Sequence, residues 1–176
     1  SFFMVLDNHL YAFNRRFGDV RFPNPNMADA PAKVTLLGGR KLYYASGMVL
    51  GVNGNNGIQA VHTLYGVAKW TYQPKSTQDW QIACVSKDEN TIAVYTDTGL
   101  IQVLDVKKGT PLWANPLQIT GVTSVDKEHH KLHAALTPVT LQVMVEGYNN
   151  FFVFDTDNPN LTAPTSSPFQ TGSSKM

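Results

Sequence analysis

Three glycines at nearly equal intervals mark an internal repeat, and this repeat restricts the possible folds more than any other feature of the sequence. The intervals are 48 residues from Gly18 to Gly66 and 43 residues from Gly66 to Gly109. Each glycine lies four positions after a polar residue and four positions before a large aromatic one. The residues that share this pattern are Asn14, Gly18 and Phe22; His62, Gly66 and Trp70; and Asp105, Gly109 and Trp113. A period of roughly 45 residues predicts that one small structural unit is repeated along the chain.

The residue types in each repeat predict a β-hairpin. Asn and Asp at the end of a strand can accept hydrogen bonds from nearby backbone N–H groups, which favours a turn. The glycine supplies the positive φ that a tight turn needs, and the returning strand carries an aromatic residue that can be buried between adjacent sheets. A fourth, weaker copy keeps the strand and the acid at Asp155 but lacks the glycine and the aromatic residue.

Further strand segments lie between the predicted hairpins. We predict strands at 33–37, 41–44, 48–52, 81–85, 91–96, 121–125, 131–136 and 140–145. Stretches rich in Gly and Asn separate them, as turns do. No segment has sustained helical periodicity, and four strands fit into each period. The sequence therefore predicts an all-β fold of β-propeller blades, each a four-stranded antiparallel sheet.

A family resemblance rests on the third repeat. The pattern small-x-Asp-x-x-x-Gly-x-x-x-Trp at Val103, Asp105, Gly109 and Trp113 resembles the repeat of pyrroloquinoline-quinone-type β-propellers. That family includes quinoprotein alcohol dehydrogenases and a non-catalytic lipoprotein propeller of the bacterial outer-membrane assembly machinery. The segment 86–106 also looks like a blade of the WD-repeat type. The enzymes resemble one another in having a full ring of blades, a calcium site and often an adjacent-cysteine disulfide, whereas this chain has one cysteine. The resemblance therefore implies a non-catalytic member.

The number of repeats sets the expected architecture. Propellers have roughly four to eight blades, whereas the chain holds three full repeats and partial ones at its ends. We therefore expect an incomplete ring, which is either part of a longer chain or completed by a partner. The remaining alternative is a small irregular propeller. Residues 1–161 are expected to form a propeller segment of about four repeats. Residues 162–176 are polar and of low complexity, and we expect a flexible tail there.

Composition and charge bear on the class of partner. Charged residues make up 15% of the chain, below the roughly 25% of an average soluble domain. A formal net charge of +1 without a block of like charges gives no electrostatic footprint for nucleic acid. The longest apolar runs are far shorter than the roughly 20 residues of a membrane-spanning helix. We therefore expect neither a nucleic-acid partner nor a membrane span in this chain.

Several residue groups could in principle support metal or redox chemistry. Cys84 is the only cysteine, and we expect a buried, unreactive thiol because free cysteine is often buried. His129 and His133 on a β segment would lie roughly 13 Å apart, too far to share a metal ion. Near Asp155 a calcium loop would need a glycine at its sixth position, where the chain has none, and Pro159 interrupts the pattern. We expect no catalytic residues, no metal site and no cofactor.

These observations favour a non-enzymatic β-propeller scaffold that mediates protein-protein contacts in a larger assembly, such as one at the bacterial envelope or in the periplasm. The alternatives are a fragment of a quinoprotein dehydrogenase and a propeller that binds a small ligand or a sugar. The expected partners are other protein subunits, and one of them would complete the propeller if the chain is not part of a longer one.

Overall fold

The computed structural model describes residues 1–22, 34–74 and 78–165, and within these ranges every regular element is a β-strand. The chain divides into two compact units, Ser1–Thr77 and Gln78–Met176. The described residues of each unit form two antiparallel sheets in which strands that are consecutive along the chain are also neighbours. This arrangement confirms the predicted all-β class.

The first unit contains a three-stranded and a four-stranded sheet. The strands of its first sheet are β1 (Phe2–Leu6), β2 (His9–Phe13) and β3 (Val20–Phe22). The strands of its second sheet are β4 (Tyr43–Ala45), β5 (Met48–Val52), β6 (Ile58–His62) and β7 (Ala68–Tyr72). All residues of β5 are buried, because this inner strand is covered on both of its faces.

The second unit contains a four-stranded sheet followed by a three-stranded one. The strands of the four-stranded sheet are β8 (Trp80–Val85), β9 (Thr91–Thr96), β10 (Leu100–Asp105) and β11 (Leu117–Gln118). The strands of the last sheet are β12 (Leu132–Leu136), β13 (Thr140–Val145) and β14 (Phe151–Asp155). A buried cluster that includes Trp113, Leu141 and Phe154 forms the core of this unit.

The first two repeats pair their strands in the same register. Ala12 lies opposite Phe22, and Ala60 lies opposite Trp70. In both hairpins the register then shifts by one residue, which leaves Arg21 and Lys69 as the extra residues of two equivalent β-bulges. The third repeat follows the same spacing, since Leu104 bridges Pro111 and the N–H of Leu112 donates to the oxygen of Val103 at 2.8 Å.

Two predicted strand segments differ from the structure. Within 33–37, Lys33 lies outside the described residues, and the remainder forms only single bridges, from Thr35 to His9 and from Leu36 to Asn53. This segment therefore ties the two sheets of the first unit together without belonging to either. The segment 121–125 forms no strand, since the main chain of Val125 bonds to Asp97 and not to a neighbouring strand.

The predicted tail lies largely outside the described residues, which end at Thr165. The N–H of Thr165 donates to the oxygen of Val153 at 2.8 Å, and its hydroxyl accepts from the N–H of Asp155 at 2.7 Å. The chain thus returns alongside β14, on the edge that a fourth strand occupies in the preceding sheet.

Candidate protein-interaction surface

The three repeat turns have the same main-chain geometry. In each of them the N–H of the glycine donates to the oxygen of the residue four positions earlier, at 2.8–2.9 Å. The φ angles of these glycines are +74°, +68° and +71°, a region that L side chains rarely adopt. The bonded pairs are Gly18 with Asn14, Gly66 with His62, and Gly109 with Asp105.

The polar residue before each turn also caps it with its side chain. Asn14 Oδ1 accepts from the N–H of Arg16 at 2.9 Å, and Asp105 Oδ1 accepts from the N–H of Lys108 at 2.8 Å. His62 uses its ring nitrogen Nδ1 in the same way, with the N–H of Leu64 at 3.2 Å. A histidine can therefore take the place of the acid because the turn needs only an acceptor at this position.

The aromatic residues at the repeat positions hold neighbouring sheets together. Phe22 is buried, and its ring lies so close to Gly66 that a Cβ there would be 2.6 Å from it. Trp113 is fully buried and packs on Phe154, with 5.6 Å between ring centroids. Trp70 is only partly buried. In both buried cases the aromatic residue of one repeat contacts the next repeat along the chain.

Asp155 holds the polar position of the fourth, degenerate copy. Its Oδ1 accepts from the N–H of Asp157 at 2.7 Å, as the polar residues of the other turns accept from nearby N–H groups. The N–H of Asn160 bonds to Asn158 Oδ1 at 3.0 Å, which makes this segment a pair of short turns. Among the described residues, no group of three or more His, Cys, Asp or Glu side chains is placed to hold a metal ion.

Cys84 and Asp126 have displaced pKa values, each for a local reason. Burial raises the pKa of Cys84 from 9.0 to about 11, although a backbone bond with Ala93 opposes this. The backbone N–H groups of His129, Glu128 and His130 lower the pKa of Asp126 to about 2, because they stabilise its carboxylate. These hydrogen bonds close the turn that contains His129 and His130, so their role is to stabilise the turn.

An exposed apolar surface of the first unit is one face of its first sheet, which we call the outer face. Its residues share a side of the sheet because they alternate along β1 and pair across to β2 and β3. It consists of Phe2, Met4, Leu6, His9, Tyr11, Phe13 and Val20. No Asp, Glu, Lys or Arg belongs to it. The opposite face packs into the core with Leu10, Ala12 and Phe22.

Exposure on the outer face is high for such side chains. Phe2, Met4 and Leu6 expose 47%, 38% and 42% of their surfaces. The ring of Phe2 stacks on that of Phe13 at 4.9 Å between centroids, so the aromatic part of the face is already ordered. Strand β1 is also an edge of its sheet. An exposed apolar strand at a sheet edge is a site for association with another protein surface.

Sequence reasoning missed the outer face, although a signal for it is present. All five residues of β1 are apolar, a pattern typical of a strand that is covered on both faces. Among the described residues, the side of β1 that packs against a core cluster is the one with Phe3 and Val5.

A cavity of about 470 Å³ opens elsewhere on the first unit. It is lined by Ser1, Phe3, Arg21, Tyr44, Thr63 and Leu64. Arg21 donates to the hydroxyl of Ser1 there. This cavity is one place where a small ligand could bind, and a second of about 520 Å³ is lined by residues of the second unit such as Lys87 and Leu136.

The geometry of the repeats defines β-propeller blades, and comparison with known proteins agrees at the level of the fold. No protein-family model matches the sequence, and a search of the curated proteins gives no match. Among solved structures, the chain is similar to BamB from Moraxella catarrhalis, with a TM-score of 0.54 and 17% identity over 85% of this chain. It is also similar to Hsv2p from Kluyveromyces lactis, with a TM-score of 0.57 and 13% identity over 89% of this chain.

Both of these proteins are β-propellers, and the chain spans 40% of BamB and 46% of Hsv2p. A computationally designed protein, Ika4, gives a TM-score of 0.50 at 13% identity, with 77% of this chain and 79% of that chain covered. The chain therefore has the fold of propeller blades and covers less than half the length of these two natural propellers. No helix in the described ranges is long and apolar enough to cross a membrane.

Proposed function

We propose that this chain is a non-catalytic β-propeller scaffold that holds another protein subunit against the outer face of its first sheet. The observation that carries the proposal is the exposure of Phe2, Met4 and Leu6 on a strand whose residues are all apolar. Such a strand gains stability when both of its faces are covered, and the described residues of the first unit cover one of them.

The outer face has the composition of the centre of a protein interface. Interface centres are depleted of charge and enriched in aromatic residues and Met. Here Phe2, Tyr11 and Phe13 supply aromatic area, and the stacked pair of phenylalanines loses little side-chain entropy on binding. Because the face carries no formal charge, a partner can cover it without leaving an ion buried and unpaired.

The assembly that we propose is of the bacterial envelope or secretion type, with the chain as a non-catalytic relative of pyrroloquinoline-quinone-type propellers. The similarity in fold to BamB and the motif around Asp105, Gly109 and Trp113 support this assignment. The capping roles of Asn14, His62 and Asp105 support a structural role for the repeat residues.

Site-specific photo-crosslinking tests the proposed function. A benzophenone amino acid at Met4 is expected to cross-link to a protein in the cells that produce the chain. The same probe at Leu64, a 59% exposed leucine in a turn that is not part of the outer face, is the matched control. Cross-linking at position 64 alone, or no protein cross-link at position 4, would contradict the proposal. Saturable binding of a sugar that the substitution Tyr44→Ala abolishes would favour the small-ligand alternative instead.

A further inference from the structure

The two compact units carry opposite net charge. Ser1–Thr77 contains eight Lys and Arg residues against three Asp and Glu residues, a net charge of +5. Gln78–Met176 contains six Lys and Arg residues against ten Asp and Glu residues, a net charge of −4. The near-neutral total of the whole chain therefore conceals a strong division between its halves.

From this division and from the outer face, we infer that the subunit bound there is a second copy of this chain, in a head-to-tail arrangement. The last sheet of one copy, β12–β14, lies on the outer face of the first sheet of the other. The inference rests on the proposed function and names its partner. When two identical copies join in this way, each contact places the basic unit of one copy against the acidic unit of the other. The attraction between the two units increases the association rate and favours the head-to-tail orientation.

The last sheet offers a matching side, which we call the tail face. Strand pairing places Met144 between His133 and Phe151 on it, and Val153 lies opposite Gln142. Its opposite side packs into the core of the second unit through residues such as Leu141 and Phe154. Met144 is among the exposed large hydrophobic residues of the chain, at 37%. The tail face is more polar than the outer face. This polarity is compatible with an interface, because the interfaces of reversible complexes are about as polar as the rest of a protein surface.

In the pair that we infer, each copy uses both its outer face and its tail face, so that neither face is left open to continue the assembly.

The first test is the molar mass of the intact chain in solution, measured by light scattering and sedimentation over a range of salt concentrations. We expect twice the chain mass of 19.4 kDa at low ionic strength. The dissociation constant should increase as salt rises, because the attraction between exposed charges is screened over roughly 10 Å at 0.1 M salt.

Two substitutions test the orientation. Met4→Glu places an acid on the outer face opposite an acidic unit, and Met144→Lys places a base on the tail face opposite a basic unit. Each is expected to raise the dissociation constant by roughly 100-fold, since a buried charge without a partner is costly. Leu64→Glu and Val139→Lys are matched controls at exposed turn positions in the same two units, with 59% and 50% exposure. Both controls should leave the dissociation constant within about threefold of the original.

Mixing the two variants gives the decisive result. A mixed pair has one unaltered contact, and in its other contact the acid introduced by Met4→Glu faces the base introduced by Met144→Lys. The mixture should therefore form dimers at concentrations where each variant alone does not.

Several results would overturn the inference. One is a chain that stays monomeric at all concentrations and salt levels. Another is a Met144→Lys variant that still forms dimers, because this would mean that two outer faces meet. A third is a series of oligomers larger than the dimer. Cross-linking of a monomeric chain through Met4 to a different protein would overturn this inference but leave the proposed function intact. The absence of any cross-link would count against both.

Discussion

The indole nitrogen of Trp113 donates a 2.9 Å hydrogen bond to the main-chain oxygen of Asp155, which joins the aromatic residue of the third repeat to the acid of the fourth. The backbone of Trp113 is held as well, because the side chain of the buried Gln102 accepts from its N–H at 3.3 Å and donates to its oxygen at 3.1 Å. One side chain thus connects the two sheets of the second unit through both packing and hydrogen bonding.

We expect Trp113→Ala to lower the free energy of unfolding by about 3–5 kcal/mol, because it removes a fully buried ring. Trp113→Phe keeps most of the ring but leaves the oxygen of Asp155 without this donor, at a cost of about 1–3 kcal/mol. Urea unfolding followed by circular dichroism measures both values. The control, Phe17→Ala, alters an exposed ring and should change stability by no more than about 0.5 kcal/mol. Equal effects at positions 17 and 113 would contradict the bridging role of Trp113.

Substitution of Gly66 and of Gly18 by alanine separates the cost of backbone strain from the cost of a steric clash. Both have positive φ, but a Cβ at Gly18 meets nothing within 4 Å, whereas one at Gly66 lies 2.6 Å from the ring of Phe22. Gly18→Ala should cost about 1–2 kcal/mol from backbone strain alone. Gly66→Ala should cost about 1–3 kcal/mol more because of the clash.

The double variant Gly66→Ala with Phe22→Leu isolates that clash. Its loss of stability in urea should be smaller than the combined losses of the two single variants, since the smaller side chain makes room. Additive losses would mean that the ring and the turn do not press on one another.

Cys84 should react slowly in the folded protein. Its pKa of about 11, raised by burial from 9.0, leaves roughly 100-fold less thiolate at pH 8 than an unperturbed thiol would have. Alkylation by iodoacetamide at pH 8 should therefore be at least that much slower than in urea. The sign for stability also follows: the unfolded thiol releases its proton first, so stability should fall as the pH rises from 9 towards 11. Rapid alkylation of the native chain would contradict this.

Asp126 gives a pH dependence of the opposite sign. Its pKa is lowered from 3.8 to about 2 by backbone N–H groups, of which that of His129 contributes most. Its contribution to stability is therefore fully present above the ordinary pKa and is lost as the pH falls from about 4 towards 2. Carboxyl carbon shifts in an NMR titration should give a midpoint near 2 for Asp126, and Asp126→Ala should remove the capping of the 126–130 turn, because alanine has no oxygen to accept from these N–H groups. A midpoint close to 3.8 would show that the turn is open in solution.

Much of the fold is predictable from the sequence because turn chemistry is local. The polar residue and the glycine of each repeat act within five residues of one another, so Asn14 with Gly18 and Asp105 with Gly109 can be recognised without knowing their surroundings. The segment 121–125 resembles a strand because three of its five residues are β-branched, but pairing depends on a neighbour that the sequence does not reveal. The single bridges of Thr35 and Leu36 are long-range for the same reason.

The candidate interaction surface is harder to foresee. Strand β1 is apolar at every position, and such a strand predicts cover on both faces without revealing which face the chain itself supplies. Charge is also misleading, because a net charge of +1 summed over the whole chain hides units of opposite sign. Only the boundary between the units, near residue 77, makes that division visible.

The contact between Phe22 and Gly66 also has an evolutionary consequence. The two positions are 44 residues apart along the chain, yet the ring at one occupies the space that any side chain at the other would need. A lineage that replaced the glycine would first have to accept a smaller residue at position 22. Residues 22 and 66 should therefore covary among related sequences. Recombination that exchanged one blade would also have to exchange the turn of the neighbouring blade.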